Sequence, residues 1–387
     1  MTPSRDHLAW PFFDSAQHAL AEKLDAFIAG GGIAGVDHHD TDSSCRRLTR
    51  AMGEAGLFAA NVVEPGEDVA QLQSRNLCLA RETLAYHDGL ADFALAMQGL
   101  GTGAIALAGS RGLRHEILPK VRRGEWLAAF ALSEAGAGSD VAAMACVARY
   151  DGDHVVLDGE KTWISNGGIA DIYTVFARTG EAPGTRGISA FAVFPGDPGF
   201  SIAKRIEVIS PHPLAAIRFE NCRIPRTRQL GGGGEGFKLA MRTLDIFRAS
   251  VAAAACGFAR RALDESVAHV KRRRMFGARQ ADLQITQTAL GDMAAELDAA
   301  LLLTYRAAWR RDVQKLPTTR EAAMAKMTAT ETAQKIIDRA VQLFGGRGVT
   351  VGEIPERLYR DIRALRIYEG ATEVQKLIIA RELLKDA

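Results

Sequence analysis

The chain has few cysteines for its length, and none of them stands in a metal-binding pattern. Its 387 residues include five cysteines, and no two of these form a CxxC pair. An odd and scattered set argues against a disulfide framework or a zinc site, so a reducing compartment is expected. The sequence also contains no HExxH segment and no serine, cysteine and histidine at catalytic-triad spacing. We therefore predict no metal site.

A charge imbalance and a long apolar run are also missing. The 48 basic and 46 acidic residues leave a net charge of +2, which gives no reason to expect nucleic acid as a partner. No segment approaches the roughly 20 uncharged apolar residues of a membrane span, so no membrane insertion is predicted. The first ten residues include Asp6 and no apolar run, unlike a signal or transit peptide. We expect a cytoplasmic location.

The pattern of apolar residues changes twice along the chain. Helical spacing holds over residues 14–121, with breaks at Gly30–Gly32 and at His87–Gly89. Between about 125 and 230, short β-rich segments alternate with glycine and proline, which is typical of hairpins. The strand candidates are residues 154–159, 172–177, 187–194 and 217–224.

Helical spacing returns after the glycine run 231–234, which we interpret as a flexible connector. Long helices are predicted up to Gly277, over 282–312 and over 319–344, with a shorter one over 371–385. The sequence thus predicts a mainly α protein with a central β domain. Its predicted parts are an N-terminal helical domain (1–124), a small antiparallel β domain (125–230) and a C-terminal four-helix bundle (231–387).

A loop of small residues precedes the strand candidates. Gly136 and Gly138, within residues 130–140, let the backbone approach a flat ligand without interference from a Cβ atom. Successive N–H groups there suit a phosphate or the edge of a planar cofactor, although an ordinary glycine turn explains the loop as well. The spacing is not G-x-G-x-x-G and no βαβ pattern surrounds it, which excludes the Rossmann fingerprint.

Three more segments offer groups for a cofactor, and each has a plainer interpretation. Trp163 beside Ser165 can cover a flat ring, or it is a buried strand residue before a turn. The arginines 272–274 can bind pyrophosphate, or they complement the dipole of the helix that they end. The glycines after Gln342 can present backbone to a phosphate, or they cap a helix.

Glu369 is a lone carboxylate between Tyr368 and Gly370, after an alternation of apolar residues. Most such glutamates are solvated. Burial against a ligand would instead raise the pKa of Glu369 toward that of a usable general base.

Taken together, these segments resemble the acyl-CoA dehydrogenases over essentially the whole chain. The resemblance implies an α–β–α fold that binds FAD between the β domain and the bundle, near an interface of a homotetramer. It also implies oxidation of an acyl-CoA to a trans-2-enoyl-CoA, with electrons passed to an electron-transfer flavoprotein. The segments that carry it, in the family's order, are Leu132–Asp140, Lys161–Gly168, Arg273–Gly277 with Gln284, Gln342–Gly346 and Tyr368–Gly370.

The same resemblance assigns roles to residues. Glu369 would remove the α-proton of the thioester, and the β-hydrogen would leave as hydride to the flavin. Residues expected to touch substrate are Ser139, Asp245, Arg248 and Gly370. Residues expected to bind FAD are Phe130, Leu132, Ser133, Gly138, Ser139, Trp163, Ser165, Arg273, Phe276, Gln284, Gln342, Gly345, Gly346, Ala371 and Glu373.

The chain departs from the common pattern of this family at several positions. Some relatives carry the base one residue before Arg248, where this chain has Phe247, so Glu369 is the matching candidate. The other departures are Ala371 and Glu373 in place of Thr and Gln, Arg347 in place of Asn, and Ser210–Leu214 in place of a Ser-Asp-Thr loop.

Other activities are compatible with the same fold. Flavin oxidases, nitroalkane oxidases and thioester desulfinases are alternatives, as is a non-catalytic scaffold. The carboxylate at position 369 favours a dehydrogenase over relatives that lack it, and Arg248 with Trp163 argues against a scaffold. The helix over about 91–105 is expected to line the acyl pocket. It contains small residues and no Lys or Arg, which disfavours a dicarboxyl-CoA.

Overall fold

The computed structural model describes residues 4–385. Its α-helices are α1 (Ser15–Ala29), α2 (Thr41–Glu54), α3 (Ser74–His87), α4 (Gly89–Ala108), α5 (Arg111–Arg122), α6 (Gly236–Arg272), α7 (Gln284–Asp312), α8 (Thr319–Phe344), α9 (Ile354–Leu365) and α10 (Thr372–Lys385). Its strands are β1 (Ala128–Ala131), β2 (Val147–Asp151), β3 (His154–Ser165), β4 (Ile172–Arg178), β5 (Ile188–Val193), β6 (Phe200–Arg205), β7 (Leu214–Pro225), β8 (Gln229–Leu230), β9 (Arg274–Met275) and β10 (Ala278–Arg279).

The described residues form two compact units. Unit 1 consists of the described residues up to Ala26, Ser74–Asp92 and the described residues from Arg248 onward. Unit 2 consists of Phe27–Gln73 and Phe93–Phe247. The three domain ranges predicted from the sequence stay a prediction.

Unit 2 contains the main β-sheet. The strands follow the order β6-β7-β3-β2-β4-β5-β8, and β1 adds to β4. Most neighbours are antiparallel, as predicted, but two pairs are parallel. β1 runs parallel to β4, with Ala128 opposite Ile172, and β2 pairs with β4 in parallel at Val147 and Arg178. Alternate residues of β3, β4, β5 and β7 fill one apolar core.

Unit 1 is built from helices whose contact faces are rich in alanine. Residues of α6, α7, α8 and α9 form one buried cluster together with residues of α3. Small side chains allow helix axes to approach closely, so a bundle of long helices forms without large core residues. The predicted helical bundle is confirmed, and the sequence placed α7 and α8 within two residues of their observed ends. The short helix α9 was not predicted.

Helix α4 is rich in apolar residues. By length and composition alone, α4 is apolar enough to cross a membrane, and among the described residues no other helix is. Its most apolar window is 89 % buried inside the protein, which is typical of a core helix.

The glycine run 231–234 is not the flexible connector that the sequence suggested. The Gly231 N–H donates to the Ala108 carbonyl over 3.0 Å, and the Gly232 N–H donates to the Glu235 carboxylate over 2.7 Å. The Gly234 N–H donates to Ser189 Oγ over 2.9 Å. Gly231 and Gly234 have φ angles of 70° and 77°, which glycine adopts without strain. The run is a hydrogen-bonded turn that leads into α6.

The glycines of α4 have a packing role inside unit 2. A Cβ atom at Gly99 would lie 2.5 Å from the ring of Phe247, and one at Gly101 would lie 2.7 Å from Ala128. A Cβ atom at Gly103 would lie 2.5 Å from Thr243. Phe247 is 1 % exposed. The small residues of this helix therefore make room for α6 and β1. That it lines an acyl pocket stays a prediction.

We predict that Gly99→Ala destabilises the protein by about 1–3 kcal/mol, because the added methyl group overpacks the Phe247 ring. Urea unfolding followed by circular dichroism measures the effect. Gly112→Ala is the control, since a Cβ atom at this helical position meets nothing closer than 3.9 Å. In a double-mutant cycle, Phe247→Leu should recover part of the loss. Equal stabilities of Gly99→Ala and Gly112→Ala would contradict the packing role.

Candidate active site

Glu369 lies in the short segment between α9 and α10, on backbone that a glutamate rarely adopts. Its φ angle is 51°, and Gly370 follows with a φ angle of 92°. A left-handed residue other than glycine costs about 1–3 kcal/mol and persists only where its surroundings hold it. A Cβ atom at Gly370 would lie 2.5 Å from Gln375 Nε2, so glycine is required there.

Two buried side chains hold this turn through its carbonyl groups. Lys326 Nζ donates to the Gly370 carbonyl over 2.8 Å. Gln375 Nε2 donates to the same oxygen over 2.8 Å and to the Glu369 carbonyl over 3.1 Å. Lys326 and Gln375 are both 0 % exposed, so water does not compete for these bonds.

A second contact from α8 fixes the residues around the turn. Glu331 accepts hydrogen bonds from Arg366 Nε over 2.9 Å and from Thr372 Oγ1 over 2.6 Å. Burial alone would raise the pKa of Glu331, but these two donors outweigh burial and lower it. Helix α8 therefore anchors the Glu369 segment through the cation Lys326 and the anion Glu331.

The Glu369 carboxyl group is held in a protected environment. Its Oε2 atom is shielded from solvent and accepts no hydrogen bond from residues 4–385. Burial raises the pKa of Glu369 above its ordinary value, while the charges of Arg81, Lys326 and Arg248 partly oppose this and Asp92 adds to it. A carboxylate with a raised pKa and an open lone pair is suited to accept a proton.

Arg81 is a buried cation that is already neutralised. Its Nε and Nη2 atoms each donate to Asp92 over 2.8 Å, and its Nη1 atom donates to Ser250 Oγ over 3.0 Å. Such a bidentate pair keeps both charges compensated inside the protein. Asp92 therefore offsets part of the effect of the Arg81 charge on the pKa of Glu369, and the effect of Arg81 is the larger of the two.

In unit 2, the loop of small residues is fixed by a buried ion pair. Lys161 Nζ donates to Glu134 Oε1 over 2.7 Å and to the Leu132 carbonyl over 3.1 Å. The Glu134 carboxylate also accepts the N–H groups of Ala145 and Cys146. Burial acts to raise the pKa of Glu134, but the Lys161 charge and these bonds lower it. The loop is therefore a built structure rather than a loose glycine turn.

Trp163 stands next to this loop with its indole ring exposed. It sits at a bulge of β3 with a φ angle of 53°, and 53 % of the residue is exposed. The Thr162 N–H donates to the Ser133 carbonyl over 3.0 Å, which joins the two segments. Cβ atoms added at Gly136 and Gly138 would meet nothing within 4 Å. An open backbone beside a flat, exposed aromatic ring fits the predicted flavin.

The other residues of this region that were predicted to bind FAD also lie in unit 2. Phe130 lies in β1 with its ring 5.0 Å from that of Phe176, and Leu132 follows it. Ser165 ends β3, and Ser139 is exposed in the loop.

The predicted pyrophosphate-binding residues form an exposed region of unit 1. Gln280 links the two segments that carry them, since its Nε2 atom donates to the Leu343 carbonyl over 3.0 Å and its N–H donates to Arg273. Phe276 is 89 % exposed, which is unusual for a large aromatic residue. The exposed residues of the region are Arg273, Phe276, Gln284, Gln342, Gly345 and Gly346.

The remaining predicted residues lie on two helices. Asp245 and Arg248 are three residues apart on α6, the spacing at which helical side chains are neighbours. Ala371 precedes α10 and Glu373 lies in its first turn, exposed. In the departing loop, His212 lies with its ring 4.7 Å from that of Phe93.

The buried charges around these positions were not predicted from the sequence. They are Lys161, Lys326 and the Arg81–Asp92 pair. Lysine and arginine are assigned to the surface by default. One signal existed for Lys326, which stands within a stripe of alanines at helical spacing. The stripe consists of Ala322, Ala325, Ala329 and Ala333, all buried in α8.

Three family models match the chain, and together they cover most of it. They are the N-terminal domain (residues 14–125), the middle domain (129–222) and the C-terminal domain (234–384) of acyl-CoA dehydrogenase.

Individual relatives match nearly the full length. The chain is 40 % identical over 375 residues to the probable acyl-CoA dehydrogenase FadE25 of Mycobacterium tuberculosis, covering 96 % of this chain and 94 % of that one. It is similar to the butyryl-CoA dehydrogenase structure of Megasphaera elsdenii, with a TM-score of 0.89, 31 % identity and coverage of 96 % and 99 %. A chain from the structural study of the electron transferring flavoprotein of Acidaminococcus fermentans has a TM-score of 0.89, 34 % identity and the same coverages.

The fold and the recognised segments thus agree with these matches. Acyl-CoA dehydrogenases are FAD-dependent, which confirms the cofactor predicted from the sequence. The chain belongs to the acyl-CoA dehydrogenase family and is an oxidoreductase of that family.

Proposed function

We propose that this enzyme oxidises an acyl-CoA to the trans-2-enoyl-CoA with Glu369 as the base. The observation that carries the proposal is the Glu369 carboxyl group. Its Oε2 atom is shielded and accepts no hydrogen bond from the described residues, and its pKa is raised by burial. Such a group gains more from accepting a proton than a solvated glutamate does.

Two of the predicted residue groups would hold FAD. In unit 2, the backbone of residues 133–139 would border the isoalloxazine ring, and the Trp163 indole would cover one of its faces. In unit 1, Arg273 and Gln342 would bind the pyrophosphate and adenosine part of FAD from a neighbouring subunit. When bound, FAD supplies the acceptor for the β-hydrogen, which leaves as hydride.

Glu369 would take the α-proton of the thioester on its open oxygen. The α-carbon becomes negatively charged as the proton leaves, and the charge spreads to the thioester oxygen, where N–H donors stabilise it. The Glu369 N–H lies on the same tight turn as the base. Lys326 and Gln375 hold the carbonyl groups of that turn, so the position of the carboxylate is fixed before the substrate binds.

The substrate is proposed to carry a short and uncharged acyl chain. One similar solved structure is a butyryl-CoA dehydrogenase. The part of α4 expected to line the pocket, residues 91–105, contains no lysine or arginine. Arg81, a buried cation of unit 1, makes two hydrogen bonds to Asp92, which leaves it unsuited to a substrate carboxylate.

We further propose an electron-transfer flavoprotein as acceptor, a homotetramer as the assembly and the cytoplasm as the location. The acceptor is supported by the similar chain from the study of the Acidaminococcus fermentans flavoprotein. Assembly is supported by the exposed side chain of Phe276 beside the predicted FAD-binding residues of unit 1.

Trp163→Ala should weaken FAD binding about tenfold, because stacking of two aromatic rings contributes about 0.5–1.5 kcal/mol beyond the apolar area that it buries, and about 1.4 kcal/mol corresponds to a factor of ten. Titration of apoprotein with FAD, followed by fluorescence, measures this. The melting temperature of the apoprotein should hardly change, since the indole is half exposed. Ile202→Ala, another exposed apolar residue on the sheet, is the matched control and should bind FAD like the parent. Unchanged FAD affinity in Trp163→Ala would refute its role.

Glu369→Gln should slow flavin reduction by acyl-CoA about 10⁴-fold, because general bases contribute roughly 10²–10⁴-fold and this one stands alone. Anaerobic rapid mixing with butyryl-CoA and longer acyl-CoAs measures the rate, and substrate binding should survive. Glu382→Gln, a partly buried glutamate near the end of α10 that pairs with Lys385, is the matched control and should react like the parent. A reduction rate of Glu369→Gln within tenfold of the parent would show that another group takes the proton.

The raised pKa of Glu369 predicts the pH dependence of flavin reduction. The base must be ionised, so the rate should rise with pH until Glu369 has lost its proton and should then level off. The midpoint of this rise should lie above about 4.3, the ordinary value for a glutamate. Reduction rates at saturating acyl-CoA from about pH 5 to about pH 9 test this. A rate that stays flat over this range, as expected for a midpoint at the ordinary value, or the same rise in Glu369→Gln, would contradict the assignment.

A further inference from the structure

Lys326 is a buried cation without a matching anion. It is 0 % exposed, lies within the buried alanine stripe of α8, and forms no ion pair with a carboxylate of residues 4–385. Burial of an ammonium group costs several kcal/mol unless it is compensated. Packing explains the alanines of the stripe but not a lysine among them.

The contact that Lys326 does make is with the turn that carries the base. Its Nζ atom donates to the Gly370 carbonyl over 2.8 Å. Burial lowers the pKa of Lys326 to about 8, with Glu369 opposing and Arg248 adding to the effect, so the ammonium is charged at neutral pH. The Gly370 carbonyl that accepts this hydrogen bond is neutral, so no negative charge at the contact offsets the charge of Lys326.

The charges that face Glu369 come from four helices and from its own segment. Arg81 of α3 is paired with Asp92 of α4, and Arg248 of α6 and Lys326 of α8 are further cations. Tyr368 is the neighbour in sequence, and burial raises its pKa so that it stays neutral. Lys326 also contacts the backbone of the Glu369–Gly370 turn.

We propose that Lys326 is a positioning residue for Glu369: its ammonium group holds the Glu369–Gly370 turn and places a buried positive charge beside the segment that carries the base. The inference rests on the proposed function, in which Glu369 is the base. The Lys326 charge opposes the effect of burial on the Glu369 carboxyl group, so without it Glu369 should stay protonated over a wider pH range.

The test is the pH profile of anaerobic flavin reduction in Lys326→Met, which removes charge and donor but keeps the length of the side chain. The midpoint of the rise with pH should move up by about one unit or more, so that the rate below the midpoint falls about tenfold and recovers at high pH. Asp92→Asn should move the midpoint down, because Asp92 acts on Glu369 with the opposite sign.

One further variant keeps the proposal open to refutation. Lys326→Gln offers a donor without a charge, so it should show the same upward shift as Lys326→Met if the charge matters. Purely structural damage would lower the rate at every pH, and would do so in Asp92→Asn as well, with no opposite shifts. An unshifted midpoint in both Lys326 variants would overturn the proposal.

A second readout needs no substrate. Because the folded pKa of Glu369 is raised, ionisation of Glu369 destabilises the fold. The melting temperature of the parent should therefore fall relative to Glu369→Gln as pH rises through that pKa, and should then run parallel to it. In the Lys326→Met background, this relative fall should extend to higher pH. If the relative fall of the melting temperature does not extend to higher pH in Lys326→Met, the role of Lys326 is refuted, even where Glu369→Gln abolishes flavin reduction. If acyl-CoA does not reduce the flavin of the parent enzyme at all, the proposed function fails instead.

Discussion

A general base must be kept out of water and yet left without a hydrogen-bond partner, and the turn at Glu369–Gly370 meets this constraint. Two successive left-handed residues turn the chain between α9 and α10, and a buried lysine and a buried glutamine occupy the carbonyl groups of the turn. The strain of a left-handed glutamate is tolerated because the surroundings hold it. The carboxyl group keeps an unused, shielded oxygen as a result.

Buried ion pairs and buried single charges have different roles in this protein. Lys161 with Glu134, and Arg81 with Asp92, are compensated pairs that fix a loop and a helix. Such pairs contribute more to a defined geometry than to the free energy of folding. Lys326 is instead bonded to a neutral carbonyl, so its field extends to Glu369. The cost of burying that charge is understandable if it serves the chemistry rather than the stability.

The helices could be predicted from the sequence because they depend on the local periodicity of apolar residues. The family resemblance could be recognised because it depends on short segments that follow one another in a fixed order. α7 and α8 have long apolar stripes, whereas α9 is short and was not predicted. β1 was missed because its three alanines and Phe130 give no alternation of polar and apolar residues, and its parallel pairing with β4 depends on distant residues. The partners of Lys326 and Arg81 could not be predicted, since each contact joins positions far apart in the chain.

The central claim is that Glu369 removes an α-proton, and this step can be measured apart from flavin reduction. Acetyl-CoA has α-hydrogens but no β-hydrogen, so it can be deprotonated but not dehydrogenated. Exchange of its methyl protons in deuterium oxide, followed by proton NMR with the FAD-loaded enzyme, reports the base directly. The account predicts exchange with the parent enzyme and its loss in Glu369→Gln. Equal exchange by the two proteins would contradict it.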